Sequence, residues 1–511
     1  MNKSIEYLII GAGPAGVQLG YFLAQNQRNY LILEKAGNAG AFFDIMPRHR
    51  YLISINKVYT GVDNPTTNLR WDWNSLLSDS EDLLFKNYSK DYFPDADLLS
   101  KYVMDFANHY QLNIQYDTRV TNIHKEGGRF IVTDTDGNTY TSDRLVVATG
   151  FSKSYIPDIP GMELCKTYAN HSIHPEDYIN QRVLIVGKGN SAFEVADHLT
   201  KTAATIHICS PHSLKFAWQT HYVGHLRAVN NNFLDTYQLK AQNAVIDATI
   251  RKVEMKDGKY QVDIAYSHAQ GQVATVTYDH VILCTGFKFD ASLFDESCRP
   301  ELAHMDKFPA QTSAWESVNV PDLYFAGTLM QACDYRKTMS GFIHGFRHNI
   351  EALSNIFEQK YHANPWPSQT LEATPATLTQ KIIERVTSDP AMFLQPGFLG
   401  DALVVSDDEK MANYYPGLRL NFIPDSMIGA NEHYYTVSLE YGHFGGDPFS
   451  IERDPDPDKA GEASYLHPVI RRYKKGMLVA EHHIQDDLEN AWYKEIYTRP
   501  AKAFFEMQLN N

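Results

Sequence analysis

Short apolar runs that stop at a glycine recur along this chain and predict its elements. Tyr7-Leu8-Ile9-Ile10 runs into Gly11, residues 17–27 read as a helix, and 29–35 form a second apolar run. That is strand, glycine turn, helix, strand. The pattern returns at 182–187 (RVLIVG), 187–199 (GKGNSAFEVADHL) and 204–210 (ATIHICS). Three more buried strands end alike, at 145–150 (LVVATG), 281–287 (VILCTGF) and 323–328 (LYFAGT), and 341–353 reads as a helix. The fold class expected is α/β, with two Rossmann-like dinucleotide-binding domains, the second inserted into the first. The first domain is placed at 1–150 and 284–360, the second at 151–283, and 361–511 form a C-terminal α+β extension.

The two turns carry the chemistry. In the first, Gly11 permits the tight turn, Gly13 lets the backbone approach a pyrophosphate, and Gly16 lets helix and strand pack closely. Pro14 and Ala15 open the helix, whose N-terminus offers free N–H groups to phosphates. Glu34, followed by Lys35, ends the next strand where a carboxylate accepts from ribose hydroxyls. In the second turn Gly187 and Gly189 recur, followed by Asn190 and the small Ser191. Its next strand ends in Cys209-Ser210 with no acid, and His212 and Lys215 lie just beyond. An absent carboxylate beside cationic groups points to a 2′-phosphate, hence NADPH, with NADH left open. Two dinucleotides on one chain imply electron transfer between a flavin and a nicotinamide.

Composition narrows the partners. The chain has 511 residues, 43% hydrophobic and 21% charged, enough for about three domains at roughly 150 residues each. With 46 Lys and Arg against 61 Asp and Glu, the net charge of −15 argues against nucleic acid or an anionic membrane. No stretch of 18 apolar residues follows the short N-terminal run, so a soluble, cytoplasmic chain is expected. Five scattered cysteines without a CxxC pair exclude a thioredoxin-type couple.

These segments resemble the two-dinucleotide flavin monooxygenases. A closer resemblance is to the FAD-dependent oxidoreductase domain-containing protein 2 family. It is carried by 47–61 (PRHRYLISINKVYTG), 71–77 (WDWNSLL), 91–99 (DYFPDADLL), 187–194 (GKGNSAFE), 220–240 (THYVGHLRAVNNNFLDTYQLK) and 334–349 (DYRKTMSGFIHGFRHN). The resemblance implies FAD at the first turn and NAD(P)H at the second. It puts Thr149-Gly150 and Gly327 by the flavin, with the helix after Gly341-Phe342 aimed at the pyrimidine end. It also places Asn56 and Lys57 near the flavin, Asn56 as the amide that donates to a flavin hydroperoxide. The animal members are endoplasmic-reticulum proteins. The chain's start and its Gln508–Asn511 ending carry neither of the signals for that compartment, so that role is not expected here. The F-x-G-x-x-x-H linker of the monooxygenases is reduced at 165–171 to its last residue, His171.

Further candidates come from charge and position. Arg48, with His49 and Arg50, offers cations to a cofactor phosphate or a substrate carboxylate. Arg336 and Lys337, beside Asp334 and Tyr335, precede the flavin-facing helix and are candidates for the substrate cavity, as are His221, Tyr222 and Arg227. Trp71, Trp73, Tyr92 and Phe93 are candidates for an apolar wall. In the extension, 374–388 reads as a helix, 433–442 as a strand, and the whole as a lid or substrate-recognition domain. Glu481, His482, His483 and Asp486 lack a second ligand set, so no metal is expected.

The expected activity is FAD- and NADPH-dependent monooxygenation of a small organic substrate with molecular oxygen, by N-hydroxylation or aromatic hydroxylation in a biosynthetic pathway. The alternatives are a single-component flavin halogenase, with Lys57, Lys240 or Lys337 facing the substrate, and a flavoprotein reductase serving a protein or quinone. A nucleotide-binding interaction protein is the third. Homo-oligomerisation is left open by the sequence.

Overall fold

A computed structural model describes residues 5–240, 243–406, 410–442 and 448–509; both chain ends and the side chain of Lys240 lie outside them. Among the described residues the helices of eight residues or more are α1 (Pro14–Gln25), α2 (Ala96–His109), α3 (Asn190–Leu199), α4 (Ile343–His362), α5 (Pro375–Ser388) and α6 (Glu495–Gln508).

The first sheet runs Ile114–Gln115, Tyr30–Leu33, Ile5–Ile10, Thr139–Val147, Arg129–Asp134, Val120–Glu126, and Leu323–Phe325 also pairs with Thr139–Val147. Ile5–Ile10 lies parallel to both neighbours. Its even and odd positions bury opposite ways: Tyr7 and Ile9 face a core shared with α1, α2 and α4, while Leu8 and Ile10 join Leu145, Val147 and Phe325. That double burial is why the run is apolar throughout rather than alternating.

The second sheet repeats the plan, with Thr205–Ser210, Arg182–Val186 and His280–Leu283 parallel, and Ala244–Lys256, Lys259–Tyr266 and Val273–Tyr278 as an antiparallel meander at one edge. Its strands all fall between Val147 and Leu323 in the chain, so it interrupts the first sheet.

The extension is an antiparallel sheet of six strands between Gln369 and His483. One face, with Leu403, Tyr435 and Val437, packs under α5 and α6. The other, with Leu399, Ala402 and Leu418, enters the core of the first unit. Arg70, 3% exposed, donates to the carbonyls of Val386 and Asp389 at 3.0 and 3.1 Å, and Arg419 donates to those of Thr312 and Ser313. One face of the extension's sheet is thus part of the first unit's core.

Candidate active site

Each candidate nucleotide site is set by a glycine turn. Gly11 takes φ +104°, and a Cβ there would lie 2.8 Å from the Ala148 carbonyl oxygen. A Cβ on Gly16 would lie 1.9 Å from the Gly11 oxygen, whereas one on Gly13 meets no protein atom within 4 Å. The first two glycines are therefore demanded by packing, and the third borders open space that a pyrophosphate fits. Pro14 starts α1, and Gly327, at φ +75°, comes so close to Ala15 that a Cβ would stand 2.5 Å from it. Thr149-Gly150 follow the end of the neighbouring strand at Val147, and the buried Thr328 Oγ1 beside Gly150 has no partner. Glu34 is buried and accepts from the Ala12 and Ala36 N–H groups at 2.7 and 2.9 Å, while Lys35 is exposed.

The second turn is built alike. A Cβ on Gly187 would lie 2.2 Å from the Cys284 oxygen, and Gly189 again borders open space. Asn190 departs from expectation. Its Nδ2 donates to the His225 carbonyl and its Oδ1 accepts from Arg227 N and Asn230 Nδ2, so it pins the 225–230 loop over α3. Ser191 is half-buried, His212 is exposed, and Ser210 Oγ donates to the His212 carbonyl at 3.1 Å.

The strand ends at Ser210 without an acid, as expected, but the adjacent strand supplies one. Asp247 lies level with Ser210 on the adjacent parallel strand. Its carboxylate pairs with Lys188 and accepts from Ser213 Oγ at 2.7 Å and His268 Nε2 at 2.9 Å. Burial opposes its charge, but the hydrogen bonds from Lys188, Ser213 and His268 prevail and hold the carboxyl well below the usual range. One part of the argument for NADPH, the absence of a carboxylate, thus holds for the strand end but not for the strand beside it.

Between the turns, loop 220–230 meets residues 327–342. Tyr222 accepts from Gln331 Nε2 at 2.6 Å, and its ring lies 6.1 Å from the half-buried Phe342 and 5.1 Å from His225. Phe342 stacks on His344, which stacks on Trp73 at 4.2 Å, and the Arg227 guanidinium lies 5.4 Å over Trp73 while donating to the Ile53 carbonyl. His344 is 1% exposed with both ring nitrogens unpartnered, and burial holds it neutral. Thr220 Oγ1 is hydrogen-bonded to His225 Nδ1 at 2.6 Å and lies 3.0 Å from the Phe216 carbonyl oxygen, while the buried Nε2 of His225 has no partner. Burial and the charge of Arg336 lower His225 to about 4. Asp334 is buried, with its carboxyl pushed up by burial and Oδ1 unpartnered, whereas Arg336 and Lys337 are exposed at the rim. Sequence reasoning missed His225, Gln331, His344, Lys188 and Asp247. His225, His344 and Lys188 had a local signal, each lying inside a quoted block, whereas Gln331 and Asp247 had none.

Two candidates are redirected. Both amide hydrogens of Asn56 go to the Ser89 and Asp91 carbonyls, at 2.9 and 3.1 Å, so the side chain ties a loop and has no hydrogen left for a peroxide. Lys57 beside it is exposed. Arg48 spans the two nucleotide units: its N–H donates to Tyr168 OH at 3.0 Å and its Nη2 to the His171 carbonyl at 2.9 Å. The His49 N–H donates to Glu194 at 3.3 Å, and its ring lies 4.2 Å from that of His198. The histidine left from the linker motif thus belongs to a clasp between units.

That clasp gives a pH prediction. Burial, then the charges of His198, His171 and Arg48, lower His49 from 6.5 to about 3. The folded state then binds fewer protons than the unfolded one, so stability is full above pH 6.5 and falls as the pH drops toward 3. Urea midpoints are expected to fall between pH 7 and pH 4, and His49→Gln to flatten that slope. An unchanged slope would refute the buried neutral ring.

Residues 8–327 match the family described as pyridine nucleotide-disulphide oxidoreductase. The chain belongs to that family. It is a flavin-dependent oxidoreductase. FAD-dependent oxidoreductase domain-containing protein 2 of Mus musculus is 34% identical over 560 residues, covering 99% of this chain and 84% of that protein. The fold is shared with a flavin-containing monooxygenase from Stenotrophomonas maltophilia (TM-score 0.53, 18% identity, 70% of this chain and 99% of that one). It is shared equally with the bacillithiol disulfide reductase of Staphylococcus aureus (TM-score 0.52, 18% identity, 70% and 99%). Fold alone does not choose between oxygenase and reductase. Among the described residues no helix is long and apolar enough to cross a membrane.

Proposed function

We propose that the protein is an FAD- and nicotinamide-dependent monooxygenase of a small organic substrate, by N-hydroxylation or aromatic hydroxylation. The observation that carries this reading is what stands between the two turns. All five cysteines are free, and burial pushes every thiol up, Cys333 to about 11, so no thiolate is ready to relay electrons to a disulfide. Near the loop over the second turn stand polar groups instead: Tyr222, which accepts from Gln331 and lies 5.1 Å from the half-buried His225, and the buried Asp334.

Bound FAD would accept a hydride from the nicotinamide and pass the electrons to dioxygen. The chain's part is to hold and exclude. Gly13 and Gly189 leave room for the two pyrophosphates, Glu34 offers a carboxylate to the first ribose, and Thr149, Gly150 and Gly327 close around the first turn. The first turn of α4, with Phe342 at its N-cap, presents free N–H groups to the flavin's pyrimidine end. The Trp73, His344 and Phe342 stack would help to exclude water from that end. His225, held neutral by burial and with Nε2 unpartnered, would exchange a proton with a substrate N–H or O–H.

The test is anaerobic reduction of the yellow protein by NADH or NADPH, followed by rapid mixing with oxygen in the presence of candidate amines and phenols. A transient near-ultraviolet band before oxidised flavin returns, with an oxygenated product, is expected. Direct reoxidation with one peroxide per nicotinamide for every substrate would defeat oxygenation in favour of electron delivery to an acceptor. A halide-dependent product mass would instead mark a halogenase.

A further inference from the structure

The acid at the second site comes from a different strand than the acid at the first. Glu34 ends the strand that follows its glycine turn, whereas Asp247 lies one strand further out, in register with Ser210. Lys188, between the two turn glycines, joins the three parts. Its ammonium, with the side chain 5% exposed, donates to the Ser210 carbonyl at 3.4 Å, the His212 carbonyl at 3.0 Å, and the Asp247 carboxylate. One ammonium therefore touches the glycine turn's strand end and the acid together. In dinucleotide folds the adenosine ribose lies between that turn and that strand end.

We propose that Asp247, held in place by Lys188, reads the adenosine ribose at the second site and selects the dinucleotide without a 2′-phosphate, NADH over NADPH. A ribose 2′-hydroxyl can donate to a carboxylate, while a 2′-phosphate brings a second anion against it. Of the nearby cations, Lys188 is already engaged, while His212 and Lys215 stand exposed on the loop beyond the strand end. An ammonium has three hydrogens, and those of Lys188 are committed to Asp247 and the two carbonyls. Ser213 and His268 likewise direct their donors to Asp247. No arginine occurs in 210–216, the stretch that follows the strand end. The inference rests on the reading that the second turn takes a nicotinamide dinucleotide, and it reverses the cofactor choice that the sequence favoured.

The experiment uses the flavin-loaded full chain and two kinds of probe. Calorimetry compares 5′-AMP with 2′,5′-ADP, which differ only in the 2′-phosphate, and anaerobic bleaching of the flavin gives Kd for NADH and NADPH. In the wild type, NADH and 5′-AMP are expected to bind about tenfold or more tightly than their phosphorylated counterparts. Asp247→Asn, which keeps the shape and removes the charge, is expected to shift both ratios about tenfold toward the phosphorylated member. Tighter wild-type binding of 2′,5′-ADP and NADPH would overturn the assignment even if the variant fails to fold. Unchanged ratios in a folded variant would overturn it too. If no nucleotide binds and neither dinucleotide bleaches the flavin, the two-dinucleotide reading itself falls and takes this assignment with it.

Discussion

Gly16→Ala is expected to yield a destabilised protein that purifies with at most about a tenth of the wild-type flavin. The added methyl would stand 1.9 Å from the Gly11 carbonyl oxygen and 3.5 Å from an Ile9 side-chain methyl, so α1 must back away from its strand. Overpacking of this kind costs about 1–3 kcal/mol, and here it also moves the N–H groups that open toward the phosphates. The informative control is Gly13→Ala, whose methyl meets no protein atom within 4 Å. That variant is expected to keep its thermal midpoint without cofactor and still lose flavin, because the only thing its methyl can strike is the dinucleotide. Absorbance near 450 nm per chain and apoprotein melting separate the two effects. If Gly13→Ala retains full flavin, the first turn does not cradle a pyrophosphate.

The contrast between those two glycines shows what a sequence can carry. Spacing alone identified both turns, because strand, turn and helix are consecutive and each glycine answers to atoms within a few residues. Asp247 was invisible for the opposite reason. It lies in a half-buried strand whose partner at Ser210 is set by sheet register, and the sequence between them gives no measure of that register. His225 was hidden because its contacts with Thr220 Oγ1 and the Tyr222 ring are made by the fold of the 220–230 loop and not by spacing. For Asn56 nothing in the sequence signalled that the Ser89 and Asp91 carbonyls, more than thirty residues on, claim both amide hydrogens. The helix at 375–388 and the strand at 433–440 were legible from their residues, but which face of the extension's sheet joins the first unit's core was not.

Arg347→Met is expected to lower stability by about 3–5 kcal/mol and to loosen the flavin as well. Arg347 is fully buried in α4, and its guanidinium donates to the carbonyls of Asp72 at 3.0 Å, Ser75 at 2.6 Å and Leu69 at 2.7 Å. Burial lowers it to about 10, so it remains a cation near neutral pH. Methionine fills much of the volume but leaves those carbonyls without donors in a water-free interior. The segment they belong to, 69–75, also carries Trp73 against His344, and its Arg70 reaches across to the carbonyls of Val386 and Asp389 in the extension. One short stretch thus joins α4, the stacked aromatic wall and the third sheet. Arg347→Lys is expected to recover little, since a single ammonium on a shorter stem cannot serve three diverging carbonyls. Arg70→Met and Arg347→Met together are expected to cost less than their sum, because either change already frees the shared segment. The check is a double-mutant cycle in urea unfolding, with flavin release from the folded protein followed in parallel. Strict additivity, or a destabilised Arg347→Met that holds its flavin as tightly as wild type, would mean that the segment anchors the fold without shaping the site.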